Sequence, residues 1–326
     1  LRYNIVNLDL WNKIMLKHPS LMHLIDIESL SAETINALLA AANAILKGHA
    51  VKISQNIAEN TPVATLFYEN STRTRFSFHL AASRLKMTCL DFTREGSSAS
   101  KGESLQDTAA TLVAMGAKIL ILRHPEAHSA EQLKEIVGDK ASIINAGDGA
   151  HAHPTQALLD MLTIQHHKKK FNDLRVAIIG DVLYSRVARS QICALTKLGV
   201  KAIHVIAPTV LLPQDIHRWP VVLYDDIAAG LKEVDVIICL RIQKERMPSD
   251  LFPDVVAYHE QYGLTQERLL LAKPDAIVMH PGPMNRGVEI ESSVADGKQS
   301  VILEQVHNGV ALRMAVLSAI AEERCQ

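Results

Sequence analysis

The stretch Pro62-Val63-Ala64-Thr65-Leu66-Phe67-Tyr68-Glu69-Asn70-Ser71-Thr72-Arg73-Thr74-Arg75-Phe76-Ser77-Phe78 passes from one kind of secondary structure to another. Pro62–Tyr68 is a short continuous apolar run, the pattern of a buried strand. From Thr72 to Lys86 the apolar residues fall three and four apart, Phe76 with Leu80 and Phe78 with Ala81 and Leu85, which is the pattern of a helix. A strand feeding a helix through a short polar turn is the unit of a parallel sheet, so this stretch sets the fold class.

Working outward, the same alternation repeats. Upstream, Ser31 stands as an N-cap before Glu33, Ile35, Leu38, Leu39, Ala42 and Leu46, and Gly48 stops that helix. Downstream, Thr88–Thr93, Lys118–Leu122 and Ser142–Asn145 read as strands separated by helical stretches. A second series has strands at Arg175–Gly180, Ala202–Ile206, Val221–Tyr224, Asp235–Leu240 and Ala276–His280. Between the series, His153–His167 reads as a helix opening at Pro154, a favoured first helical position. The polar run His166–Lys170 ends it and reads as a solvated loop. Val310–Glu323 is a closing amphipathic helix. The expected fold class is α/β, with two doubly wound domains, each a mainly parallel sheet flanked by helices. The first domain is expected over residues 1–153, with a C-terminal helix 306–326 returning to it, and the second over 154–305.

Composition narrows the classes of partner. The chain has 326 residues, 48% hydrophobic and 21% charged, which is enough for about two cores and too apolar for disorder. Lys+Arg 34 against Asp+Glu 35 gives a formal charge of -1, so the chain as a whole makes no case for nucleic acid or an anionic membrane. Local basic sites can hide in that balance. The four cysteines, Cys89, Cys193, Cys239 and Cys325, lack metal-ligand or disulfide-framework spacing. No apolar run approaches the ~20 residues of a membrane span, and Leu1–Lys13 lacks a signal-peptide core. The expectation is a cytoplasmic protein with reduced thiols and no bound metal.

Ligands of such folds bind beyond the carboxyl ends of strands, so the residues just after each strand are the informative ones. After the strand ending at Tyr68, Ser71-Thr72-Arg73-Thr74-Arg75 opens a helix. Hydroxyls and guanidiniums at a helix N-terminus make an anion site suited to a phosphate dianion. An ordinary N-cap accounts for one hydroxyl but not for five such residues in a row. Arg73 and Arg75, two apart, cannot share a helix face, so one faces the ligand and the other is structural. Arg123 and His153 follow later strands of the same series, with Gln156 just inside the next helix. In the second series Arg186 follows one strand, and Arg241 with Gln243 another. Two guanidiniums suit a ligand with two carboxylates, although salt bridges to Glu69 or Glu245 are the plainer alternative. His280-Pro281-Gly282-Pro283 closes the last strand with a rigid turn whose carbonyls could accept from a substrate amide. Without a nucleophile motif, metal cluster or acidic pair, catalysis would rest on positioning and electrostatics, as in direct attack on a phosphate-activated carbonyl.

With these residues in view, the chain resembles the aspartate and ornithine carbamoyltransferase family over essentially its whole length. Ser71-Thr72-Arg73-Thr74-Arg75 resembles the family's carbamoyl-phosphate motif. His153-Pro-Thr-Gln156, Arg241-Ile-Gln-Lys-Glu-Arg246 and His280-Pro-Gly-Pro are of the aspartate type; ornithine enzymes carry a cysteine where Pro281 stands. The resemblance implies transfer of a carbamoyl group from carbamoyl phosphate to the amine of L-aspartate, in pyrimidine biosynthesis and without a cofactor. It implies that Ser71, Thr72, Arg73, Thr74 and Arg123 hold the phosphate, and that Thr74, Arg123 and His153 polarise the carbonyl. Gln156 and the carbonyls of Pro281 and Gly282 would bind the carbamoyl amide, and Arg186, Arg241 and Gln243 the aspartate carboxylates. Glu69 would pair with Arg186 and Arg246. The first domain would thus bind carbamoyl phosphate and the second aspartate. The resemblance further implies a homotrimer with shared active sites, to which a neighbour contributes Ser97 and Lys101, Lys101 also touching aspartate. It leaves open a regulatory chain or pathway-enzyme partner. Two departures from the family pattern are the single lysine after Ser98-Ala99-Ser100 and Gly282 in place of a larger residue.

Three other readings compete. The nearest is a carbamoyltransferase for another amine acceptor, but ornithine lacks a second carboxylate, so Arg241 with Gln243 argues against it. Gly147-Asp-Gly149-Ala-His-Ala152 matches a dinucleotide-binding fingerprint, but the acidic residue expected ~20 positions on is missing, because Asp173 precedes a strand. A tight turn into the next helix explains those glycines better. A non-catalytic relative would be expected to have lost site residues, and here each expected one is present.

Overall fold

The computed structural model describes residues 21–48, 55–93, 102–243, 246–247 and 254–325. The chain forms two compact units, one extending to Leu162 and resuming at His307, the other Thr163–Val306.

In the first unit, helix α1 (Ala32–Leu46) is capped by the Ser31 hydroxyl, which accepts from the Thr34 amide at 3.1 Å. It is followed by α2 (Gln55–Asn60), β1 (Val63–Phe67), α3 (Thr72–Arg84), β2 (Cys89–Thr93), α4 (Leu105–Ala114), β3 (Ile119–His124), α5 (Ser129–Val137), β4 (Ser142–Asp148) and α6 (Pro154–Lys168). The strands form one parallel sheet in the order β2-β1-β3-β4. Every residue of β1 is buried, as a strand covered on both faces requires. Ala64, Leu66, Leu120, Leu122, Leu133 and Ile143 form much of the core.

The second unit contains β5 (Arg175–Ile179), α7 (Arg186–Lys197), β6 (Ala202–Ile206), β7 (Val222–Tyr224), α8 (Ile227–Leu231), β8 (Val236–Cys239), α9 (Val255–Tyr262), α10 (Gln266–Leu269), β9 (Ile277–Met279) and α11 (Ser292–Ala295). Its parallel sheet runs β7-β6-β5-β8-β9 around a core that includes Ile179, Ile206, Ile237, Val278 and Ile290. Helix α12 (Ile302–Arg324) closes the chain. The architecture is α/β with two parallel sheets flanked by helices. Among the described residues, no helix is long and apolar enough to cross a membrane.

Strand order fixes where each sheet can hold a ligand. In the first sheet the chain moves from β1 to one neighbour, β2, then crosses to the other, β3. In the second it moves from β5 outward through β6 and β7, then returns to β8 on the other side of β5. The carboxyl ends of β1/β3 and β5/β8 are therefore topological switch points, where adjacent loops diverge and leave a crevice. At the second, Gly180 has φ +118°, and a side chain there would meet the Leu240 carbonyl at 2.7 Å.

Several local expectations need correction. Phe76 and Leu80 are 62% and 43% exposed, so the buried stripe of α3 is the one through Phe78 and Ala81. β3 and β4 extend beyond the apolar runs, to His124 and Asp148, because backbone pairing continues under polar side chains. Helix α12 starts at Ile302 rather than Val310. The run His166–Lys170 is not simply solvated. His166 and His167 reach Glu304 at 3.3 and 2.8 Å, and Lys168 pairs with Asp275 at 2.7 Å.

Candidate active site

At the β1/β3 switch point, Ser71 is the extended residue before α3, and its side chain makes no capping hydrogen bond. Its hydroxyl is thus not spent on the helix. Thr74 is buried, one turn inside. The two arginines divide as their spacing requires. Arg75 donates through Nε to Asp91 Oδ1 at 3.1 Å and pairs through Nη2 with Oδ2 of the same carboxylate. Asp91 also accepts from the Thr65 hydroxyl at 2.6 Å and meets His79 Nε2 at 2.9 Å. Arg75 therefore ties α3 to β2. Arg73 has no ion-pair partner among the described residues, and partial burial pulls its guanidinium below the usual arginine range. A cation without an ion-pair partner among the described residues, beside hydroxyls and a helix N-terminus, suits an anion.

Phe67 pairs with Arg123 in register, so Arg123 projects at the same end of the sheet as the α3 turn. Its Nη2 donates to Glu69 Oε1 at 2.8 Å and its Nη1 to the Ala146 carbonyl at 3.2 Å. Glu69 is thus placed against Arg123.

Beyond β4, Asp148 Oδ1 accepts from Asn145 Nδ2 at 2.8 Å and the Ala152 amide at 3.1 Å, while His151 Nδ1 lies 3.1 Å from Oδ2. Gly149, at φ +45°, lies so close to Ala127 that a side chain would meet its backbone nitrogen at 2.5 Å. These contacts build the turn that delivers buried His153 to the start of α6, where its carbonyl accepts from the Gln156 amide at 3.0 Å. The glycines are turn residues, as the sequence suggests. Gln156 Nε2 donates to Asp160 Oδ1 at 2.9 Å.

The β5/β8 switch point is organised by Asp181, a residue that motif reading does not single out. Its Oδ1 accepts from the Tyr184 amide and its Oδ2 from the Gln243 amide, both at 3.0 Å. One carboxylate thus staples together the loops that carry Arg186, which is buried at the start of α7, and Arg241 with Gln243. Arg241 Nη2 donates to Gln243 Oε1 at 3.1 Å, and Arg246 Nη1 to the Tyr184 carbonyl at 3.2 Å. Burial pushes the Asp181 carboxyl up to about 6, against the opposing pull of its two amide hydrogen bonds and the nearby Arg246 and Arg241. A raised carboxyl is ionised above that value and takes a proton below it. Protonation removes acceptor capacity from one amide bond, so the staple should loosen as pH falls through about 6. The KM for the ligand bound by this unit should rise over that interval. In Asp181→Asn the KM should already be high and flat across it, and a wild-type KM without an inflection there would remove Asp181 from this role.

After β9, Gly282 N donates to His280 Nδ1 at 2.8 Å, and His280 Nε2 lies 3.0 Å from Glu289 Oε1. Since Nδ1 accepts, Nε2 carries the proton toward the carboxylate. The turn is held further by Asn285 N on Glu289 Oε1 at 2.6 Å and by His280 N on Gln305 Oε1 at 2.9 Å. The Gly282–Pro283 peptide is cis. No described residue donates a hydrogen bond to the carbonyls of Pro281 or Gly282. Ser97 and Lys101 lie outside the described residues.

Asp181, Asp160, Glu289 and Arg313 are among the buried charges that motif reading misses. The available signal is a charge inside an apolar run, as in Ala157-Leu-Leu-Asp160-Met-Leu162 and Val310-Ala-Leu-Arg313-Met-Ala315. Such residues are seldom fully buried unless paired.

Residues 22–166 match the family model of the aspartate/ornithine carbamoyltransferase carbamoyl-P binding domain, and residues 172–320 that of the Asp/Orn binding domain. Among solved structures, an aspartate transcarbamoylase from Trypanosoma cruzi in complex with carbamoyl aspartate and phosphate is similar at TM-score 0.81 and 30% identity. That match covers 94% of this chain and 99% of the other. The same enzyme in complex with carbamoyl phosphate and aspartate is similar at TM-score 0.80 and 31% identity, covering 93% and 99%. The ornithine carbamoyltransferase from Pyrococcus furiosus is similar at TM-score 0.81 and 25% identity, covering 93% and 98%.

Proposed function

Because the chain belongs to the aspartate/ornithine carbamoyltransferase family, and so is a carbamoyltransferase, we propose that its acceptor is L-aspartate. The observation that carries this reading is the set of side chains around Asp181. Arg186, Arg241 and Gln243 offer guanidinium and amide donors, which suit two carboxylates. Ornithine has one carboxylate and a cationic side chain, and these guanidiniums would repel that cation. Among the described residues, the carboxylate that joins their loops, Asp181, has both oxygens committed to backbone amides and is pushed toward its neutral form.

In this reading the first unit binds carbamoyl phosphate. Ser71, Thr72, Arg73, Thr74 and Arg123 hold the phosphate, and Thr74, Arg123 and His153 polarise the carbonyl. Gln156 and the carbonyls of Pro281 and Gly282 take the hydrogens of the carbamoyl amide. Arg186, Arg241 and Gln243 hold the aspartate. The aspartate amine attacks the carbamoyl carbon to give a tetrahedral intermediate, whose developing oxyanion the cations stabilise. The bond from carbon to the phosphate oxygen then breaks, and phosphate leaves with the amine proton. The product is N-carbamoyl-L-aspartate, consistent with a cytoplasmic role in pyrimidine biosynthesis. A homotrimer in which a neighbour supplies Ser97 and Lys101 belongs to the same proposal.

Product formation from carbamoyl phosphate should be fast with L-aspartate, and with L-ornithine no faster than without an acceptor. Citrulline in place of carbamoyl aspartate would overturn the acceptor assignment while leaving the reaction class intact.

A further inference from the structure

Gln156 and Asp160 stand one turn apart on α6, and both are buried, at 8% and 0% exposure. The hydrogen bond from Gln156 Nε2 to Asp160 Oδ1 decides which way the amide faces. Because the donor is Nε2, the NH2 end of Gln156 is turned toward the carboxyl group, and the carbonyl oxygen Oε1 points away. The two ends of an amide are alike in size, so packing alone would not choose between them.

A buried carboxylate needs a counter-charge to stay ionised. Arg313 of α12 is the buried cation whose field Asp160 shares. This residue is 3% exposed, and its charge is supported by Asp160. It is held by hydrogen bonds from Nη1 to the Gly309 carbonyl at 3.2 Å and from Nη2 to the Thr155 hydroxyl at 3.4 Å. Its guanidinium lies 5.0 Å from the centroid of the Phe78 ring. Burial pulls it down only to about 10, so it remains cationic at neutral pH. Arg313 therefore touches both α3, through Phe78, and α6, through Thr155, the two helices whose first turns carry Arg73, Thr74 and Gln156.

We propose that Asp160 is a positioning residue that fixes Gln156 with its carbonyl oxygen toward the ligand, so that the site selects for an NH2 group on the carbon being transferred. The proposal rests on the reading of Gln156 as the partner of the carbamoyl amide. A correctly turned Gln156 accepts from that NH2; a flipped one sets donor against donor. An acyl phosphate with a methyl group in place of NH2 gains nothing from Oε1 and leaves it unpaired, which is how a polar site rejects a near-isostere.

The test compares carbamoyl phosphate with acetyl phosphate as donors in steady-state transfer. In Asp160→Asn, Arg313 attracts the new carbonyl, the new NH2 turns toward Gln156, and Gln156 flips. The kcat/KM with carbamoyl phosphate should fall about ten- to a hundred-fold, while that with acetyl phosphate changes less than about three-fold. The double variant Gln156→Glu/Asp160→Asn restores one acceptor and one donor, keeps the charge beside Arg313, and leaves an oxygen facing the ligand. It should recover the preference for carbamoyl phosphate. Equal losses with both donors in Asp160→Asn, or a double variant without the preference, would overturn the role. If Asp160→Asn does not fold, the double variant decides alone, read against the wild type. A wild-type protein inactive with aspartate overturns the acceptor assignment instead, and the donor preference is then measured with the acceptor that works.

Discussion

Arg73→Ala should lower kcat/KM for carbamoyl phosphate roughly 30- to 1000-fold, the equivalent of about 2 to 4 kcal/mol of transition-state stabilisation. The size of the loss reflects how little Arg73 does in the free protein. It has no ion-pair partner among the described residues. Truncating it therefore orphans no described group, and the melting temperature should hardly move. A departing phosphate gathers charge as its bond to carbon breaks, so a guanidinium aimed at it matters more in the transition state than in the ground state. Arg75→Ala is the informative contrast. It strips Asp91 of its cation, so it should lower thermal stability, although the residue lies two positions from the site. A near-wild-type kcat/KM in Arg73→Ala would remove that arginine from the phosphate site, and equal melting losses in both variants would erase the division between them.

Arg241→Ala should raise the KM for aspartate roughly 30- to 160-fold, or about 2 to 3 kcal/mol, with kcat much less affected. Arg241 donates to Gln243, so its loss removes a carboxylate partner and frees the amide beside it. An interaction made equally in ground and transition states appears in KM alone. The KM for carbamoyl phosphate should remain within about two-fold, because the residues assigned to that substrate belong mainly to the other unit. If carbamoyl-phosphate binding weakened as much as aspartate binding, the assignment of one substrate to each unit would be wrong.

The alternation of apolar runs and helical spacing is enough to read both sheets, because parallel strands buried on two faces have little freedom of composition. What it misjudges has specific causes. Helical spacing shows that α3 has an apolar stripe but does not choose between two stripes half a turn apart, so Phe76 and Leu80 read as core beside Phe78. Apolar runs place strand ends where side chains turn polar, yet Arg123 remains paired in the sheet while its guanidinium reaches Glu69. The start of α12 is hidden by Glu304, Gln305, His307 and Asn308, and two of these are polar for a reason. Gln305 holds the amide of His280, and Glu304 receives two histidines. The motifs at strand ends are visible because chemistry there demands particular residue types. The charges that orient them are not, since Asp181, Asp160 and Arg313 are single charges among apolar neighbours, and Glu289 belongs to no motif. Their meaning depends on partners distant in sequence or a turn away.

Asp181 also sets the stability of the fold against the firmness of the loops it joins. Its carboxyl titrates at about 6 in the folded chain against 3.8 in an exposed one, so the folded state is penalised whenever that group is ionised. By linkage the penalty is about 3 kcal/mol and is fully present above pH 6. It is relieved as pH falls from about 6 toward 4, where the folded chain binds the proton more tightly than the unfolded one. Acidification thus favours the folded state at this residue while it loosens the loops to which acceptor binding is assigned. The ionised form that holds the Tyr184 and Gln243 amides is thus also the form that burial disfavours.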